Sequence, residues 1–309
     1  MKVIFEGRRL YKYFSGRKGG TAIKACENVY VSIEKGVTVG LVGESGCGKT
    51  TVGRVLLRLI NADKGVVYYR GQNLTRLHEK EIRPLRKNFQ MIFQDSRSAF
   101  NPRMRVFDAL KESIRLHHEN MKLREVRDRI NGLVDRVNLS RGMLYNFVGN
   151  LSGGELKRLD IARVMSIGPE FIIADEPLTL LDTSIQSQMA DLLMEYQERE
   201  GAAVLFISHD LRMVEMLSRT VLVMYGGRIV ELAPKREITG TPLHPYTTHL
   251  WNPQSTVSTS LFPEQGCVYM NSCLLYQKKG YPTICSEEAP ELVEYREQHH
   301  AACHFAGQI

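Results

Sequence analysis

The segment GESGCGKT (43–50) follows the apolar run VTVGLV (37–42). It precedes a stretch in which Val52, Val55, Leu56, Leu59 and Ile60 share one helical face, with Arg54 and Arg58 opposite. Strand, glycine-rich loop and helix in register are the context that gives G-x-x-x-x-G-K-[ST] its meaning. Glycines let successive backbone N–H groups curl around phosphate oxygens, and the helix start adds positive potential. The expected cradle runs from Gly43 through Glu44, Ser45, Gly46, Cys47 and Gly48 to Lys49, Thr50 and Thr51. In it Lys49 reaches the β- and γ-phosphates and the Thr50 hydroxyl ligates Mg²⁺. Cys47 falls at an unconstrained position, where a buried, idle thiol is expected.

Working outward, FIIAD (171–175) and AAVLFIS (202–208) are nearly continuous in apolar residues, as parallel strands covered on both faces should be. The fold class is therefore α/β, built on a P-loop NTPase core. The first of these strands ends in Asp175 and Glu176. Asp175 is placed to hold Mg²⁺ through water, and Glu176 to orient or deprotonate an attacking water. Gln94 after MIF (91–93) and His209 after LFIS (205–208) also stand at strand ends, where ligand-contacting groups collect. KGVVYYRGQ (64–72) and VLVMYGGRIVEL (221–232) carry hairpin signals. Between Asp95 and Asn150 the pattern turns helical, with Leu123, Val126, Ile130, Leu133 and Val137 recurring at helical spacing, so a helical subdomain is expected over about 95–165.

Charge and hydropathy narrow the function. The net charge is +7, but the basic residues are scattered and laced with glutamate. No basic stripe or stacking aromatic set marks a nucleic-acid surface, so no nucleic-acid partner is expected. No run approaches the roughly 20 apolar residues that span a bilayer. The start, MKVIFEGRR, has no apolar h-region, so a cytosolic chain held at a membrane by partners is expected. Seven of the eleven prolines lie in 234–309, which points to loops and short elements there.

NLSGGELKRLDIAR (150–163) has the chemistry of a second phosphate cradle. Ser152 can cap the helix and donate to an oxygen, while Gly153 and Gly154 let backbone amides approach a γ-phosphate. A plain capped helix with exposed charges would read the same way on this segment alone. The ordered set GESGCGKT, FQD (93–95), LSGGE (151–155), ADEP (174–177), LLD (180–182) and ISHD (207–210), however, resembles the ATP-binding subunits of ABC transporters. GRRLYKYF (7–14), MIFQDSRSAFNPRM (91–104), LDTSIQSQ (181–188) and HPYTTHL (244–250) are similar to the oligopeptide, dipeptide and nickel importers, particularly the second of their two ATP-binding subunits.

That resemblance implies an ATPase whose residues 152–154 grip ATP held by a second, paralogous ATP-binding subunit. It implies Phe14, or alternatively Tyr13, stacked on adenine, Gln94 on Mg²⁺, Asp182 linking the two sites and His209 as the switch histidine. SRSAFNP (97–102 with Ser96) would lie near a transmembrane subunit. The machine would have two permease subunits and an extracytoplasmic substrate-binding protein, with this chain peripheral at the cytoplasmic membrane face. Peptide and nickel or metal-chelate cargo stay open, and a soluble ABC ATPase acting on ribosomes or DNA is the alternative of another class. The expected layout is an ATP-binding domain over 1–235, with an antiparallel β subdomain and an inserted helical subdomain, and a small extension over 236–309.

Glu155 stands where that family usually has Gln, QDS replaces QDP, and Thr50 stands where Ser is common. None removes a required donor. Four of the six cysteines, Cys267, Cys273, Cys285 and Cys303, crowd the extension. Their C-x5-C-x11-C-x17-C spacing is neither a zinc-ribbon pair nor a standard ferredoxin run. The resemblance implies a structural [4Fe–4S] cluster; Zn²⁺ and free thiols remain alternatives, with His299, His300 and His304 either zinc ligands or surface residues.

Overall fold

The computed structural model describes residues 2–15, 22–252, 263 and 265–308. In chain order the strands are β1 (Val3–Phe14), β2 (Ile23–Glu34), β3 (Thr38–Val42), β4 (Lys64–Tyr69), β5 (Gln72–Asn73), β6 (Phe89–Ile92), β7 (Phe171–Asp175), β8 (Ala203–Ile207), β9 (Thr220–Tyr225), β10 (Arg228–Pro234), β11 (Val293–Arg296) and β12 (His299–Ala301). The chain divides into two compact units, one of residues 3–33, 38–76 and 207–309, the other of 1–2, 34–37 and 77–206.

In the first unit β3 runs parallel to β9, from Val39 opposite Thr220 to Val42 opposite Val223. Every residue of β3 is buried, which is why the sequence there is apolar without alternation. β9 returns into β10 through Gly226 and Gly227, at φ 53° and 81°, the left-handed pair that a tight hairpin needs. β10 then pairs with β12, and β12 with β11, both antiparallel. The C-terminal residues thus continue the sheet that leads into the phosphate loop. β2, β1, β4 and β5 form a separate four-stranded sheet in that order, with β1–β4 and β4–β5 antiparallel. Both expected hairpins are present.

The helix after the phosphate loop is shorter than the apolar pattern suggests. It spans Lys49–Leu56, with Val52, Val55 and Leu56 buried. Arg58 adopts a left-handed φ of 54° and Leu59 is exposed, so the periodicity outlasts the helix by one broken turn.

In the second unit β6 and β7 pair in parallel, from Phe89 opposite Phe171 to Ile92 opposite Ala174, and β8 lies on the other side of β7. Between β6 and β7 come the helices Val106–His117, Leu123–Arg136 and Gly153–Ile167. Val126, Ile130, Leu133 and Val137 are buried as the spacing requires, but Leu123 is exposed because it sits in the first turn. Each buried aliphatic side chain of this face contributes on the order of 2 kcal/mol. The helix Gly153–Ile167 stops at Gly168, and Thr183–Glu200 at Gly201, both glycines in the left-handed conformation that closes helices without a Cβ penalty.

A polar brace that the sequence did not announce fixes the C-terminal strands. Glu231 on β10 is fully buried, and its carboxylate accepts the backbone N–H groups of Leu243 at 2.8 Å and His244 at 2.9 Å. His299 Nε2 on β12 lies 2.7 Å from the same carboxylate. The expectation of a surface position is corrected for His299, which is wholly buried; His300 and His304 are half-buried. Truncating the carboxylate leaves two buried N–H donors and an imidazole unsatisfied. Glu231→Ala should therefore lower the unfolding free energy by about 3 kcal/mol, and Glu231→Gln by clearly less. Denaturant titration of the full chain checks this, and an Ala variant as stable as wild type contradicts the brace.

Candidate functional site

In the first unit β3, held in register against β9, delivers the chain into the loop 43–48. Gly43 has φ 149°, and a Cβ there would stand 2.1 Å from the carbonyl oxygen of Met224; at Gly48, φ 111°, it would stand 2.0 Å from that of Ala25. Only glycine satisfies both the dihedral and the contact. From behind, Gly227 N–H donates to Cys47 O at 3.0 Å. The Lys49 ammonium lies inside the loop, donating to Gly43 O at 2.7 Å and Glu44 O at 2.8 Å. The helix that begins at Lys49 has no acidic residue in its first turn, so its N–H groups keep their positive potential for an anion. Ser45 and Gly46 are exposed, and Thr50 and Thr51 are half-buried. Burial pushes the Cys47 thiol up, consistent with an inert side chain.

Phe14 closes β1 with its ring exposed and the Lys12 ammonium 5.6 Å from its centre. Tyr13 is committed elsewhere: burial, then the bond to Glu27, pushes its hydroxyl up to about 12. Phe14 is thus the better-presented of the two rings. His209 stands two residues past the end of β8 and is exposed, while Asp210 beyond it caps the next helix by accepting Arg212 N–H.

The second unit gathers the remaining predicted residues. Asp175 ends β7 with only 1% of its surface exposed, and Glu176 is also buried. Glu176 has a left-handed φ of 49°, a conformation that costs a β-carbon-bearing residue roughly 1 kcal/mol or more. The tight turn that imposes it is closed by the Thr179 hydroxyl donating to Glu176 O at 2.8 Å. Gln94 is exposed just past β6.

Ser152 caps the helix Gly153–Ile167 in a reciprocal box. Its hydroxyl accepts Glu155 N–H at 3.3 Å, and Ser152 N–H and O–H both donate to Glu155 Oε2 at 2.8 Å. Those bonds hold the Glu155 carboxyl below its ordinary range. The departure from Gln at this position therefore has a local role, a capping box. The exposed Leu180 and the adjoining Leu181 lie alongside this helix start: a Cβ on Gly154 would come within 3.2 Å of Leu180 O and 3.5 Å of the Leu181 side chain. Asp182 caps Thr183–Glu200 by accepting Ile185 N–H at 3.0 Å.

One residue escaped the sequence reading. Lys157 is 1% exposed, and its ammonium donates to Phe93 O at 2.7 Å and Gln94 O at 2.9 Å. Phe93 N–H donates to Asp160 at 3.1 Å, and Arg163 binds both Asp160 and Met91 O. The helix that starts with the glycine pair thus grips the strand end carrying Gln94 through Lys157, Asp160 and Arg163, spaced three apart on one face. Burial lowers the Lys157 pKa, against the pull of Asp160, Asp175, Glu176 and Asp95. The signal available was that i, i+3, i+6 polar row on a largely buried helix. Lys157→Met should slow the nucleotide hydrolysis expected from the sequence at least about 10-fold, since it frees two carbonyls and releases the strand end. Lys157→Gln should recover part of it by restoring a donor, and steady-state hydrolysis of the two variants is the check.

The four C-terminal cysteines are buried and line one cavity together with His244, Tyr269 and His304. Cys267 N–H donates to Cys285 O at 2.8 Å. Burial pushes Cys267 up to about 12 and Cys303 up to about 11, and raises Cys273 and Cys285 as well. Such groups stay protonated at neutral pH unless a cation draws them into thiolates. Among the described residues, however, no three His, Cys, Asp or Glu side chains are arranged to hold a metal ion. The zinc-histidine alternative fares worst: His299 is bonded to Glu231 and His304 Nε2 lies 2.9 Å from Glu288 O.

A buried strand, a glycine-forced phosphate loop and an acidic strand end define a P-loop nucleotide-binding protein. Residues 26–179 match the family described as ABC transporter. Over 98% of its length the chain is 37% identical to the oligopeptide transport ATP-binding protein AppF of Bacillus subtilis (strain 168), covering 98% of that protein. It is 42% identical to the oligopeptide transport ATP-binding protein OppF of the same organism over 80% of this chain and 81% of that one. The chain belongs to the ABC transporter family and is one of its ATPases. In fold it is similar to the ATP-binding cassette MJ0796 in a dimeric post-hydrolysis state bound to ADP and Pi, with a TM-score of 0.70 at 23% identity over 75% of this chain and 99% of that one. Among the described residues no helix is long and apolar enough to cross a membrane.

Proposed function

We propose that this chain is the ATPase engine of an importer. It hydrolyses MgATP at an interface with a second, paralogous ATP-binding subunit and so drives import of di- or oligopeptides. Two permease subunits form the path, an extracytoplasmic binding protein supplies the cargo, and the chain sits peripherally on the cytoplasmic face of the membrane. The observation that carries this reading is the coexistence of two anion-ready helix starts in one chain, the loop ending at Lys49 and the capped glycine pair at 152–154. The names of the curated relatives support a peptide cargo.

In this reading residues 1–235 form the ATP-binding domain, with the helical subdomain at about 95–165, and 236–309 form the extension. Lys49 and the loop amides bind the nucleotide's phosphates, Phe14 stacks on its base, and Thr50, Gln94 and Asp175 provide Mg²⁺ contacts. Glu176 orients or deprotonates the attacking water, and His209 contacts the γ-phosphate. Ser152, Gly153 and Gly154 close on the partner's nucleotide, and Asp182 links the two sites. Catalysis by positioned charge of this kind needs no covalent intermediate.

Glu176→Gln should retain MgATP binding and ATP-driven pairing while turning over about 10²- to 10⁴-fold more slowly. Hydrolysis assays beside size-exclusion chromatography with ATP test it, and near-normal turnover removes Glu176 from its role.

The cysteine cavity is proposed to hold a [4Fe–4S] cluster. Four buried thiols facing one space suit a group with four separate attachment points better than one ion, which would need them all about 2.3 Å from a single centre. Cys267, Cys273, Cys285 and Cys303 would bind it, and it would supply a structural cross-link to a segment with little apolar core. Anaerobically purified chain should contain iron and acid-labile sulfide in equal amounts, whereas zinc near one per chain without sulfide overturns the assignment.

A further inference from the structure

The motif HPYTTHL (244–250) takes no part in the chemistry above, yet it reaches the phosphate loop. Tyr246 is wholly buried, and its hydroxyl accepts the backbone N–H of Glu44 at 3.0 Å. That N–H belongs to the segment whose carbonyls, Gly43 O and Glu44 O, hold the Lys49 ammonium. One short stretch of loop is therefore pinned by a tyrosine on one side and by its own lysine on the other.

The Tyr246 ring does not line the cysteine cavity itself but packs on Tyr269, which does. Its centroid lies 4.5 Å from that of Tyr225, at the end of β9, and 5.3 Å from that of Tyr269. Tyr225 immediately precedes the Gly226-Gly227 turn that holds Cys47 O. Tyr269 stands between Cys267 and Cys273 in sequence and lines the cavity with them. A second link runs through His244, another cavity residue, whose Nδ1 accepts Tyr246 N–H at 3.0 Å. Burial pushes that imidazole down to about 4, which leaves its ring nitrogen free to accept. Packed interiors transmit such displacements instead of absorbing them.

We propose that Tyr246 is a positioning residue for nucleotide binding, and that through it the state of the four-cysteine cavity sets the affinity of the phosphate loop for MgATP. A loop held in its binding shape does not have to be ordered when the phosphates arrive. The inference rests on residues 43–51 being the nucleotide cradle.

The test is equilibrium titration of the full chain with Mg²⁺ and a fluorescent ATP analogue. Loss of one neutral hydrogen bond predicts that Tyr246→Phe binds about 3- to 10-fold more weakly, with the thermal midpoint lowered by no more than about 2–4 °C. The double substitution Cys267→Ser/Cys273→Ser should also weaken binding in the wild-type background, and add nothing in the Tyr246→Phe background. Tyr246→Phe binding like wild type overturns the proposal. So does a cysteine effect of equal size in both backgrounds, or a fallen thermal midpoint with affinity intact. A wild-type chain that binds no nucleotide sinks the cradle assignment itself and this inference with it.

Discussion

Two carbonyl oxygens set the terms for the phosphate loop. Those of Met224 and Ala25 stand where β-carbons of Gly43 and Gly48 would be, so the loop can pass only as glycine, and only with left-handed dihedrals. Met224 belongs to β9, which pairs with the strand feeding the loop. The geometry that presents amides to phosphate is therefore a property of the sheet as much as of the motif. The motif specifies which residues can make the turn; the β9–β10 hairpin specifies where it is.

The same logic, rigid backing behind a mobile-looking turn, recurs in the other unit. Gln94 stands past the end of a strand, a position that would wander if its backbone were solvated. Instead a lysine, an aspartate and an arginine from one helix take up the carbonyls and N–H around it. Burying an ammonium is costly unless its donors are occupied, and here two carbonyls accept from it while the charges of Asp160, Asp175, Glu176 and Asp95 favour it. The strand end and the glycine pair at the start of that helix thus share one rigid part.

How much of this was legible follows the range of the interactions. Residues 43–50 and the apolar strands were readable because their constraints are local: glycine dihedrals, period and burial on both faces. The helix after Lys49 was overextended, because Leu59 and Ile60 continue an apolar period that the backbone breaks at Arg58. Leu123 fits a spacing rule but falls in a first turn, where nothing packs on it. The brace at Glu231, the clamp at Lys157 and the hydroxyl of Tyr246 were invisible, since each depends on partners more than ten residues away. Likewise the spacing of the cysteines could not say that all four would face one cavity.

The tail has a further consequence through β11 and β12. β11 is the outermost strand, all four of its residues exposed and two of them charged, Glu294 and Arg296. Such a border resists joining other chains. Past β12, the next strand in, β10, is largely buried and apolar. Cutting the protein short of residue 293 would strip away a shield as well as an appendage, leaving an uncapped ladder of N–H and C=O groups on a greasy strand, a template for aggregation.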